Sequence, residues 1–210
     1  MRRHVLIVAL AAAWLAGTGL PSLAQPARHG DAAVLGELRR SFTLHGKPVP
    51  PEIFRDFGDG DLADSGSIWI TVDLAAAIGS NRYADAIRKD GAWLSQSRPN
   101  QSMNGKEETA YMFVGAADNG LLVVVASYNG GGSGTFYTLH ILDAAVTRGF
   151  GPDGKRVRRV GLTVLRGVAL GDRWDGAVSL AHNAVRVVTT QSRAAAAGGR
   201  TTRTIAAERP

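Results

Sequence analysis

Leu121 to Tyr128 is an almost unbroken apolar run of strand length, flanked on both sides by turn chemistry. Such a run predicts a strand buried on both faces. Before it, Ala110, Met112 and Val114 alternate with Thr109, Tyr111 and Phe113, and Asp118-Asn119-Gly120 supplies the backbone freedom that a tight hairpin needs. After it, Asn129 and the glycine-rich segment to Gly134 form a second reversal, and Thr135 to Leu142 returns as a third strand. Three consecutive antiparallel strands follow from this order.

The pattern recurs in the last third. Val160 to Leu170 is β-branched and apolar, Gly171 to Gly176 is rich in turn residues, and Ala177 to Ala181 begins another strand. His182-Asn183 separates it from Val185 to Thr190, with asparagine the residue suited to a left-handed turn position. The N-terminal third reads differently. Ser41 to Leu44 predicts a short strand, Pro51 to Phe57 a short helix opened by proline, Ser67 to Leu74 an alternating strand, and Ala75 to Ile78 a helical turn. The sum is a mainly β domain of α+β type, an antiparallel sheet of consecutive hairpins that is sandwich-like or a partly open barrel, with one or two short helices in its N-terminal third.

The first residues change the picture of where the domain works. Met1-Arg2-Arg3 is followed by an apolar run from Val5 to Ala16, helix breakers at Gly17, Gly19 and Pro21, and small residues at Ser22-Leu23-Ala24. This order predicts a secretory signal peptide cleaved after Ala24, and the run falls short of the roughly 20 residues that span a bilayer. The expectation is a periplasmic or secreted protein with no transmembrane segment after cleavage. Residues 25–37 and 192–210 lack apolar periodicity and are expected to be a flexible leader and tail around a single domain at 38–191.

Composition removes several chemistries. There is no cysteine, so disulfides, a thiol nucleophile and thiolate metal sites are absent. The formal charge of +6 is unevenly placed: residues 25–120 hold 10 Lys/Arg against 13 Asp/Glu, and residues 121–210 hold 12 against 5. Without aromatics interleaved in a dense basic cluster, a nucleic-acid partner is not expected, and an envelope protein or small envelope ligand is the expected partner class.

Four carboxylates lie between Asp56 and Asp64, and Asp59, Asp61 and Asp64 are the candidate metal ligands, with calcium the only cofactor the residues suggest. The spacing departs from the EF-hand, with Asp64 where glycine belongs and Ile70 where glutamate belongs. The stretch Gly130 to Gly134 is neither a nucleophile elbow nor a dinucleotide loop, because a strand rather than a helix follows it. His140 falls on one strand face with Phe136, Thr138 and Leu142 and is expected to be a partly buried residue with a satisfied ring.

Three functional readings result. The leading one is a non-enzymatic binding or interaction module of the cell envelope, working through Gly131, Gly132 and Ser133 in one loop and Arg173 and Trp174 in another, since glycine admits close approach and Trp and Arg dominate hot spots. The second is an envelope hydrolase whose site is assembled from distant Asp, His and Ser residues, among them Asp59, Asp61, Asp64, Ser133, His140 and Asp143. The third is a calcium-stabilised structural domain.

Overall fold

The structure is a computed structural model, and it describes residues 29–57, 71–78, 86–100, 105–151, 153–190 and 199–209. The proposed signal segment and Asp59, Asp61 and Asp64 lie outside the described residues. The first described element is helix α1 (His29–Ser41), with Asp31 in its first turn and Arg39 and Arg40 in its last, charges that complement the helix dipole. Val34 and Leu38, four residues apart, share the buried face. Residues 29–37 are therefore helical where the sequence suggested a loose leader. Two apolar positions one turn apart anchor this helix, too few to register as periodicity.

Helix α1 ends on Phe42, which is left-handed at φ 53° and donates its N–H to the Leu38 carbonyl at 3.0 Å. That capping geometry normally belongs to glycine. Here the ring is buried, stacked on Phe113 at 5.2 Å and edge-on to Tyr111 at 5.2 Å, so its burial offsets the backbone cost. The small hairpin β1 (Thr43–Leu44) and β2 (Lys47–Pro48) follows, then the short helix α2 (Ile53–Asp56).

The body is a seven-stranded antiparallel sheet, strongly curled into a half-barrel. Its strands are β3 (Thr71–Asp73), β4 (Arg88–Asp90), β5 (Trp93–Asn100), β6 (Gly105–Ala116), β7 (Leu122–Asn129), β8 (Phe136–Phe150) and β9 (Arg156–Asp172). The order β3-β9-β8-β7-β6-β5-β4 makes every step from β4 to β9 a nearest-neighbour hairpin, with β3 on the outer edge of β9. Helix α3 (Leu74–Ile78) continues directly from β3. A second sheet, β10 (Ala177–Ala181), β11 (Ala184–Thr190) and β12 (Arg200–Ala206), pairs in sequence order. The mainly antiparallel β architecture expected from the turns is thus the one observed.

Strand β7 shows why the sheet has two cores. Leu122, Val124 and Ala126 face a cluster with Phe42, Phe54 and Leu38, while Val123 and Val125 face Val185, Val187 and Ile205 of the second sheet. One side of the large sheet is covered by the N-terminal helices and the other by β10 to β12. The unbroken apolar run thus reflects burial on both faces.

Several details differ from the sequence-based expectation. Strand β12 lies within the stretch expected to be a tail, because Ile205 and Ala207 are buried two residues apart and the intervening Thr and Arg side chains tolerate an exposed face. In the β10–β11 turn the left-handed residue is His182, φ 54°, rather than Asn183. His182 Nδ1 lies 2.8 Å from Asp118, and Asn183 accepts N–H bonds from Asn119 and Ala207. The uneven charge is partly absorbed within the molecule: Asp31 pairs with Arg158 at 3.0 Å and Arg148 at 3.5 Å, and Asp73 with Arg159 at 3.6 Å.

Candidate functional site

On the side of the sheet covered by the helices, a cavity of about 340 Å³ opens between α2 and strands β6 to β9. Phe54 and Arg55 of α2 form one wall, Thr109, Ala126, Thr138 and His140 lie along the sheet, and Tyr128 and Phe136 stand near the loop end. On this side β9 offers small residues, Gly167 opposite His140, Ala169 opposite Thr138 and, past a bulge, Gly171 opposite Tyr137, which leave room beside the sheet. A Cβ on Gly167 would meet Thr138 Cγ2 at 3.8 Å and His140 Nδ1 at 3.9 Å, ordinary contacts, so no atom already fills the position. Two bulges interrupt this part of β9, with Leu165 just before Gly167 and Leu170 between Ala169 and Gly171 as extra residues opposite β8. Gly171 sits beside the second at φ 106°, a conformation that favours glycine.

His140 is 2% exposed and lies between Phe54 and Phe57, at ring distances of 5.6 and 6.0 Å. Its Nδ1 is buried with no hydrogen-bond partner among the described residues, contrary to the satisfied ring expected from the sequence. Burial pushes its pKa down from 6.5 to about 4, so the imidazole is neutral at neutral pH. The hydroxyl of Tyr111, whose ring is 5.2 Å from that of Phe54, is likewise buried and unpaired, and burial drives its pKa upward. A buried unpaired polar group costs roughly 1–3 kcal/mol, which a ligand that bonds to it recovers.

Beside the cavity lies a compact charge network. Glu52 and Glu107 are buried, and Arg98 reaches both, with Nη1 2.9 Å from Glu52 and Nε bonded to Glu107. Arg55 lies 3.3 Å from Glu107 and 3.6 Å from Glu52, and Tyr128 donates its hydroxyl to Glu107 at 3.1 Å. The backbone N–H of Glu52 is accepted by Gln96 Oε1 at 3.0 Å. Two guanidinium groups thus engage two carboxylates, a pairing that holds α2 against β5 and β6 and leaves both carboxylates occupied as acceptors.

The loops singled out from the sequence come together at the end of the sheet where the cavity opens. Arg173 donates its backbone N–H to Thr135 at 2.8 Å and its guanidinium to the Ser133 carbonyl at 2.6 Å. The Thr135 N–H reaches Asp172 at 2.8 Å, and that of Gly131 reaches Asn129 Oδ1 at 2.7 Å. Gly131, Gly132 and Ser133 are thereby fixed as a turn latched by Arg173. Trp174 is half-buried, donating Nε1 to Thr189 at 3.2 Å with its ring 6.0 Å from that of Tyr137, so it packs over the sheet end.

Ser133 and Asp143 are not assembled with His140 into a triad: Asp143 is engaged by Arg209 at 3.1 Å, and His140 Nδ1 bonds to nothing among the described residues. Among those residues no group of three or more His, Asp or Glu side chains is arranged to hold a metal ion. Sequence reasoning missed Phe54, Arg55 and the Glu52–Arg98–Glu107 network, whose members are far apart in the chain. The small residues at 167, 169 and 171 were the available signal for a cavity. No protein-family model, curated protein or solved structure matches this chain.

Proposed function

We propose that this chain is an exported, non-enzymatic binding module of the cell envelope that holds a small, mostly apolar molecule between α2 and strands β6 to β9. The observation that carries the reading is the cavity of about 340 Å³ lined by Phe54, Tyr128, Phe136 and the buried ring of His140, whose Nδ1 has no partner among the described residues. Apolar pockets of this order with a few polar groups are the usual form of small-molecule sites. The ligand's buried part is uncharged, because among the described residues the only charged side chain on the wall, Arg55, is already balanced by Glu52 and Glu107. One hydrogen-bonding group on the ligand meets His140. Export rests on the character of residues 1–24, described above.

The test uses N-phenyl-1-naphthylamine, an uncharged apolar fluorophore. The protein is expected to enhance its emission saturably, and Ala169→Trp, which places an indole at an exposed residue of the cavity wall, to weaken binding about tenfold or more while leaving the melting temperature near that of the parent. No enhancement, or equal enhancement by the variant, overturns the cavity as the binding site.

A further inference from the structure

Beyond Val146 and Val160, β8 and β9 leave the sheet as a two-stranded ribbon with mostly exposed residues on both faces. The ribbon is closed by a turn in which Gly151 donates to Lys155 at 2.8 Å and Gly154 to Gly151 at 3.0 Å. Its composition is lopsided: residues 147–159 hold Arg148, Lys155, Arg156, Arg158 and Arg159 against the single acid Asp153. Asp31 and Asp73 from the N-terminal elements, with Asp153, make ion pairs with four of these cations. Arg156 has no acidic partner among the described residues, and the ribbon keeps a positive excess.

Phe150 sits at the last position of β8, paired with Arg156, and is 65% exposed. The other exposed large apolar side chain among the described residues, Phe136, is accounted for by the cavity it lines. Phe150 has no such partner. A phenyl ring held in water at a ribbon end amid cations is the combination that binds an anionic interface, where the ring enters the headgroup boundary and the cations meet phosphate.

We propose that the end of the β8–β9 ribbon, Phe150 with Lys155 and Arg156, is a docking finger for anionic lipid surfaces. Charge complementarity selects the partner, and Phe150 distinguishes a lipid interface from a purely ionic polyanion. The contact is weak and reversible, as expected for one ring and a few charges, and it leaves the cavity free because the ribbon lies beyond the opposite end of β8 from Phe136.

Co-sedimentation of the purified protein with phosphatidylglycerol/phosphatidylcholine vesicles, against pure phosphatidylcholine vesicles, tests this. Retention by the anionic vesicles that falls with added salt is expected, reduced about tenfold or more in Arg156→Glu and clearly in Phe150→Ser. Both variants are expected to keep the parent melting temperature and fluorophore binding, so this test fails or succeeds separately from that of the cavity. Equal retention by the two vesicle types, or wild-type retention by both variants, overturns the proposal. Binding to duplex DNA without vesicle binding also overturns it, in favour of a nucleic-acid surface.

Discussion

Arg98→Ala is expected to lower the free energy of unfolding by about 3–5 kcal/mol, read as a fall in the urea midpoint at unchanged slope. Arg98 makes the closer contacts to both buried carboxylates, and its loss leaves Arg55 as the cation of the network, farther off at 3.6 and 3.3 Å, with Tyr128 still donating to Glu107. The penalty comes from stranding charge in a buried place rather than from the attraction lost. A double change, Arg98→Met with Glu107→Leu, is therefore expected to be less damaging than Arg98→Ala alone, since it removes the charge along with its partner. A loss below about 1 kcal/mol for Arg98→Ala would mean that the network behaves like exposed surface pairs. Because α2 carries Arg55, is preceded by its N-cap Glu52 and forms one cavity wall, loosening this network is also expected to loosen the cavity.

Acidification from pH 7 to pH 4 is expected to remove about 3 kcal/mol of stability through His140 alone. The folded protein takes up this proton only near pH 4, whereas the unfolded chain takes it up near 6.5. Between those values the unfolded state binds more protons, so stability declines as pH falls through the window and levels off in this respect below it. His140→Phe is expected to flatten the profile between pH 6.5 and 4 when unfolding is measured across that range. Parallel profiles for parent and variant would sink the assignment. In the folded protein this proton enters the cavity wall only near pH 4, so fluorophore binding is expected to hold from pH 6.5 down and to weaken as the pH approaches 4.

Legibility in the sequence followed the local physics of each element. The hairpins around β7 were readable because Asp118-Asn119-Gly120 and the glycines after Asn129 announce reversals, and because a strand buried on both faces cannot hide its apolar run. Strand β5 was not readable, since Ser95, Gln96, Ser97 and Arg98 are polar and owe their place to pairing with β6 and to the buried network. β12 was missed for a related reason: one buried isoleucine among threonines and arginines gives little periodicity, and pairing with β11 supplies the rest. The cavity depends on what β9 lacks and on an α2 wall more than a hundred residues away. His140 could be placed on its strand face, but its missing partner is a property of three dimensions.

The two extra residues of β9 have an evolutionary consequence. Leu165 and Leu170 are each skipped in the pairing with β8, so deleting either would leave the partners on both sides of it unchanged. Most single-residue deletions in a strand invert which side chains face inward. These two would instead straighten the strand, at the cost of one leucine's packing against the second sheet. The bend of the cavity wall is thus tunable by insertion and deletion at two positions, allowing a lineage to reshape the pocket without rewriting the residues that line it.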